Sequence, residues 1–269
     1  MGLKIAIGGK GGVGKTTVCA VWAQLFANDG FDVLAVDADP NTNLYCAFGI
    51  GNDKTPEPLI NMKQLIAERT GTDGNAVGAY FVLNPKVSDL PDKYCLKTHG
   101  VKLLVLGGIK HGGAGCACPE GAFLKALLTY TILQRNELVL VDLAAGPEFL
   151  GRASIQGIDA LLVVVEPGTR SIETTISIAK MGKELGVKQI VAIANKITDS
   201  AQLEIIKSKL GDIPIIAAID YDPAVQQADL SRENVFESNP KLVETLKQAK
   251  QKLTDIIMSP TASDTENKS

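Results

Sequence analysis

The sequence is poor in aromatic residues, at 5%, and carries no marked charge of either sign, with a formal net charge of -3. Few aromatics disfavour a base-stacking platform, and a dedicated nucleic-acid binder is usually basic. A charged fraction of 21% beside 45% apolar residues excludes disorder as the main state. No apolar run approaches the roughly 18 residues that span a bilayer. The opening MGLKIAIGG lacks a basic region followed by a long apolar one, so no export signal is expected. Ala6 stands where a myristoylation signal needs Ser or Thr. The five cysteines are odd in number and do not read as a disulfide framework. These absences lead to the expectation of a cytoplasmic protein with reduced thiols, no membrane span and no nucleic-acid partner.

What is present is regular alternation. A 269-residue chain can bury roughly three quarters of its unfolded surface, so a full core is available. Short apolar runs at Leu3 to Ile7, Val33 to Val36, Lys102 to Leu106, Leu138 to Val141, Ala160 to Val165 and Ile190 to Ala194 read as strands. They lack in/out alternation, which suits strands covered on both faces. Helical spacing marks Thr16 to Asn28, Ala122 to Gln134, Ile172 to Leu185, Gln202 to Leu210 and Lys241 to Ile257. The alternation predicts a single α/β domain over 1–258: a doubly wound, mostly parallel sheet with helices on both faces. AYFVL at 79–83 reads as a further strand in an irregular stretch, and 259–269 as a disordered polar tail.

The segment from Gly9 to Thr16, GKGGVGKT, fits G-x-x-x-x-G-K-[ST] between a strand and a helix. Gly11, Gly12 and Gly14 let the backbone curl so that successive N–H groups converge, and a helix N-terminus adds its positive end. Lys15 would supply a point charge to the β- and γ-phosphates, and the Thr16 hydroxyl would hold Mg²⁺. LVLVDLAAG at 138–146 has the Walker B form, so Asp142 would reach Mg²⁺ through water. Gly146 lies where a backbone N–H could sense a γ-phosphate.

Lys10 makes GKGGVGKTT a deviant Walker A motif, and on it the chain resembles the MinD/ParA/nitrogenase-iron-protein family of ATPases. The resemblance implies an ATP/ADP site of Gly11, Gly12, Val13, Gly14, Lys15, Thr16 and Thr17. It implies that Lys10 crosses a homodimer interface to the partner's nucleotide, as an arginine finger would. It places Asp39, in DADPNTNL at 37–44, beside the attacking water, and makes Asp142 to Arg152 a switch segment. It assigns Asn195 to adenine; its amide carries both a donor and an acceptor. Asn43 receives no role.

Cys116 and Cys118, in GGAGCACPEG, are the remaining pair, with His111 across a glycine run. Two thiolates are too few for a closed zinc site. A two-fold dimer would double them to four, which fits zinc, nickel or an iron–sulfur cluster. With the nucleotide motifs, C-x-C resembles the CooC-type accessory ATPases that insert nickel into carbon monoxide dehydrogenase, including relatives acting on acetyl-CoA synthase. The resemblance implies Ni²⁺ or Zn²⁺ at an intersubunit site and one of those enzymes as client. Two alternatives remain. One is an iron–sulfur electron-transfer ATPase like the nitrogenase iron protein, although 142–152 contains no cysteine. The other is a MinD/ParA-type positioning ATPase, although the stripe Leu242, Leu246, Ala249, Leu253 and Ile256 reads as sheet-packing. Cys19, Cys46 and Cys95 stand outside the motif, with Cys19 expected in the core.

Overall fold

The computed structural model describes residues 2–51, 54–72, 80–108, 119–134, 137–146 and 157–258. Their apolar runs form one sheet: β1 (Lys4–Gly9), β2 (Val33–Ala38), β3 (Leu96–Thr98), β4 (Val101–Val105), β5 (Leu138–Leu143), β6 (Ala160–Val165), β7 (Gln189–Ile197) and β8 (Ile215–Asp220). The spatial order is β3-β4-β2-β5-β1-β6-β7-β8. Only β3 is antiparallel to its neighbour. Every residue of β1, β2, β5 and β6 is buried, which is why these runs show no in/out alternation.

The helices, in chain order, are α1 (Lys15–Asn28), α2 (Leu44–Ala47), α3 (Lys63–Thr70), α4 (Leu90–Tyr94), α5 (Pro119–Gln134), α6 (Thr169–Glu184), α7 (Ser200–Leu210), α8 (Pro223–Ser231), α9 (Val235–Ser238) and α10 (Pro240–Met258). Successive strand side chains still go to opposite sides. Ile5, Ile7, Ala35 and Leu140 pack with Trp22 of α1 and Leu246 of α10. Ala6, Val36, Val139 and Val141 pack with Leu65 of α3, Phe123 and Leu127 of α5 and Ile178 of α6. Two helix starts follow from local chemistry: Asp199 accepts the Gln202 N–H, and Asp222 accepts the Ala224 N–H just before Pro223.

The sheet therefore has the doubly wound, mostly parallel architecture expected. Two strands went unread. β3 is three residues long, and β8 is an edge strand whose pairing to β7 is interrupted by register shifts. The expected strand at 79–83 does not form over its described residues. Tyr80 is fully exposed, and Val82 makes a lone backbone bond to the Thr70 carbonyl at 2.8 Å. The 259–269 tail lies outside the described residues.

The last helix is tied into the core by its apolar stripe. Leu242, Leu246, Ala249 and Leu253 are buried, and the Leu246 carbonyl accepts the Trp22 indole N–H at 3.0 Å. Leu246→Ala should cost about 2–5 kcal/mol, read as a lowered thermal midpoint; a change under about 0.5 kcal/mol would show that α10 does not anchor the core.

Candidate nucleotide site

The loop after β1 closes only because two of its positions carry no side chain. At Gly9, φ is 149° and a Cβ would lie 2.5 Å from the Val164 carbonyl oxygen on β6. At Gly14, φ is 99° and a Cβ would lie 2.5 Å from Nδ2 of Asn195. Gly14 then opens α1, whose first residue, Lys15, is 6% exposed and donates from Nζ to the Lys10 carbonyl at 3.3 Å. A cleft of about 850 Å³ opens over the loop, bordered by Lys15, Thr17, Asp39, Asn195, Tyr221 and Arg232. That volume accommodates a nucleotide.

Beneath the cleft, strand register brings two acids together. Asp142 on β5 stands opposite Asp37 on β2 and Ile7 on β1. Both acids are essentially inaccessible. Burial pushes the Asp142 carboxyl up to about 7, helped by the charge of Asp37 and opposed by the hydrogen bond from Thr16. Burial pushes Asp37 up to about 6, against three backbone N–H groups that favour its ionised form. Those donors are Asp39, Asn43 and Leu44, at 3.2, 3.0 and 2.9 Å. Asp37 thus shapes the turn carrying Asp39. That structuring role went unread, although the first acid of DADP was in plain view.

The Thr16 hydroxyl donates to Oδ2 of Asp142 at 2.7 Å, while Oδ1 is buried without a hydrogen-bond partner. An orphaned carboxylate oxygen beside a hydroxyl is the donor set a hard divalent cation takes, so these residues fit Mg²⁺. Asp39 borders the cleft, with Oδ1 accepting the Asn41 N–H at 2.7 Å. Asn195 gives Nδ2 to the Val13 carbonyl at 2.8 Å, and its Oδ1 accepts the Lys196 N–H at 2.9 Å. The amide retains one N–H and one lone pair for a ligand. The Gly146 N–H donates to the Gly9 carbonyl at 3.2 Å, with φ at 90°.

Lys10 lies within its own chain, its Nζ 3.5 Å from Oε1 of Glu166. Lys196 reaches the other oxygen of Glu166 at 3.0 Å and donates to the Gly12 carbonyl at 2.6 Å. Glu166 carries no motif in the sequence, and Lys196 stands out there only as the neighbour of Asn195. The available signal was position: Glu166 directly follows the apolar run of β6, and Lys196 follows Asn195. Cys19 is fully buried, and burial raises its thiol pKa, as suits a core residue. Cys46 borders the cleft. His111, Cys116, Cys118 and residues 147–152 of the expected switch segment lie outside the described residues.

Residues 4–235 match the CobQ/CobB/MinD/ParA nucleotide binding domain. The chain belongs to this family, and to its CooC-type ATPases. It is 38% identical over 240 residues to the carbon monoxide dehydrogenase accessory protein CooC of Rhodospirillum rubrum, covering 88% of this chain and 91% of that one. It is 40% identical over 230 residues to an uncharacterized ATP-binding protein of Methanocaldococcus jannaschii, covering 84% and 88%. In fold it is similar to the septum site-determining protein MinD of Pyrococcus horikoshii in complex with Mg-ADP. That similarity has a TM-score of 0.67 and 21% identity, covering 97% of this chain and all of that one. Membership makes the chain a nucleotide-binding ATPase. No helix among the described residues is long and apolar enough to cross a membrane.

The paired acids have a measurable consequence. Their folded pKa values exceed the ordinary 3.8, so between about pH 4 and 7 the folded state holds protons the unfolded state has released. Stability contributed by these groups therefore falls as pH rises through that window. In Mg²⁺-free buffer Asp142→Asn should flatten that fall, measured by thermal unfolding at stepped pH. Parallel slopes in variant and wild type would refute the linkage.

Proposed function

We propose that this chain is an ATP-driven metallochaperone that inserts nickel into carbon monoxide dehydrogenase, or into the related acetyl-CoA synthase. The observation that carries the reading is a conjunction in one chain. A deviant Walker A loop and a C-x-C pair occur in a sequence 38% identical to a carbon monoxide dehydrogenase accessory protein. The reading places the protein in the cytoplasm, where a reducing poise keeps the pair as thiols.

The proposed cycle uses the site residues as follows. The N–H groups of Gly11 to Thr17 and the Lys15 ammonium hold the phosphates. Asn195 meets the adenine edge. Thr16 and Asp142 would hold Mg²⁺, which supplies charge neutralisation on the phosphate oxygens. Asp39 orients the attacking water. Lys10 leaves its own subunit and delivers its charge to the partner's nucleotide, so hydrolysis requires the homodimer. Closure brings Cys116 and Cys118 of both copies into a four-thiolate site for the cargo ion, nickel or zinc. The pair directly precedes α5, a 16-residue helix whose N-terminal end favours thiolates.

Two measurements test this. Lys15→Ala should abolish nucleotide binding in calorimetry, whereas Lys10→Ala should bind ATP but lose about 10³-fold or more in turnover. Normal turnover in Lys10→Ala would refute the trans role. Anaerobic metal titration with mass determination should find about one Ni²⁺ or Zn²⁺ per dimer, the load four thiolates accept. That load should vanish in Cys116→Ala/Cys118→Ala. Retained stoichiometric metal in the variant would sink the shared site, and a brown protein that bleaches on reduction would favour the iron–sulfur reading.

A further inference from the structure

Glu166 stands one residue past the end of β6, and β6 pairs with β1 so that Val164 is the register partner of Gly9. The carboxylate is thereby delivered beside the point where the phosphate loop leaves the sheet. Two cations meet it there, and they are not held alike. Lys196 is held twice, by Glu166 at 3.0 Å and by the Gly12 carbonyl at 2.6 Å. Its backbone sits at φ 60°, a conformation that side-chain-bearing residues avoid unless their surroundings fix them. Lys10 is held at Glu166 only by a long contact of 3.5 Å, with the lysine side chain 41% exposed. One carboxylate therefore serves two ammonium groups, and the more loosely held is the one the proposed cycle must move.

We propose that Glu166 is a positioning residue that keeps Lys10 in its own subunit and thereby sets how readily two ATP-loaded copies associate. The inference rests on the proposed transfer of Lys10 to the partner's nucleotide. On that reading Lys10 exchanges the carboxylate of Glu166 for phosphate oxygens across the interface. Whatever holds it at Glu166 lowers the fraction of subunits ready to associate and weakens apparent dimer affinity by the square of that fraction, since both copies must be ready. Lys196 stays behind as the counterion of Glu166, so the departure of Lys10 leaves no unpaired carboxylate next to the loop. The same arrangement makes the two substitutions act in opposite directions. Removing the charge of Glu166 frees Lys10. Removing Lys196 leaves Lys10 as the only cation on Glu166 among the described residues and holds it harder.

The test is ATP turnover per subunit against protein concentration, with sedimentation in ATP run in parallel. A long, half-buried ion pair such as this is weak, so Glu166→Gln should reach half-maximal turnover at about two- to five-fold lower protein concentration than wild type. Lys196→Gln should need a higher concentration than wild type. In a Lys10→Ala background, Glu166→Gln should not change ATP-dependent sedimentation at all. A Glu166→Gln curve that is unmoved or moved to higher concentration would overturn the role of Glu166, as would a shift that persists without Lys10. So would shifts of the same sign in Glu166→Gln and Lys196→Gln, since that is what general disturbance of the loop produces. Those outcomes leave the dimer reading intact as long as wild-type turnover per subunit rises with concentration. A wild type that sediments as a monomer in ATP, with turnover flat in concentration, would overturn the dimer reading and the role of Glu166 with it.

Discussion

The placement of β5 between β1 and β2 is the constraint on which the rest of the site depends. Parallel pairing with β1 sets Asp142 level with Ile7, and parallel pairing with β2 sets it level with Asp37. The glycine-rich loop, Asp142 and the turn that carries Asp39 therefore emerge together at the carboxyl ends of three adjacent central strands. A slip of one residue in either pairing would send each side chain of the slipped strand to the opposite face. Each strand supplies apolar residues to both buried cores, so the slip is opposed by the close-packed shapes of the side chains on the two faces and not by hydrophobic pattern. Packing and chemistry thus rest on the same register.

That register also creates an electrostatic imbalance. Two carboxylates lie side by side in a dry place: Asp37 accepts three backbone N–H groups, whereas Asp142 accepts one neutral hydroxyl and keeps one oxygen without a partner. Burial and mutual repulsion disfavour their charged forms more than the neighbouring donors and Lys15 favour them, so an arriving divalent cation would meet charge that the fold compensates only in part. The phosphate loop above shows the complementary pattern. Its carbonyls are committed to the protein: Gly9 to Gly146, Lys10 to Lys15, Gly12 to Lys196 and Val13 to Asn195. A loop whose acceptors are already taken presents fewer lone pairs to an anion and leaves its N–H groups as the available chemistry. Acid below and donor-rich loop above suit a cation and a polyphosphate bound together.

Much of the site was legible because phosphate binding imposes a strict spacing. Gly9, Gly14, Lys15 and Thr16 are each required by local geometry, so the eight-residue pattern announces them. Asp142 was legible because a carboxylate after four apolar residues has few reasons to be there. Asp37, Glu166 and Lys196 were not legible as a set, since nothing in local spacing joins residue 10 to 166 or to 196. β3 and β8 escaped because a three-residue strand and an interrupted edge strand carry too little hydrophobic pattern. The reading of 79–83 failed for the opposite reason: strand-forming residues make a strand only where a neighbouring edge accepts them.

By itself the sequence determined the fold class, the phosphate loop, the acid at the end of β5 and the pairing of Cys116 with Cys118 in one short motif. These are local matters, decided by periodicity and by spacing within a few residues. The tertiary structure alone decided that Asp37 and Asp142 are neighbours, that Asn195 rests on the loop, and that Lys10 lies on Glu166 with Lys196 behind it. Most of these contacts join residues more than a hundred positions apart, and the nearest in sequence, Lys196 with Glu166, spans 30. They exist because parallel strands deliver distant residues to the same end of the sheet, and a linear pattern carries no information about which distant strands will lie side by side.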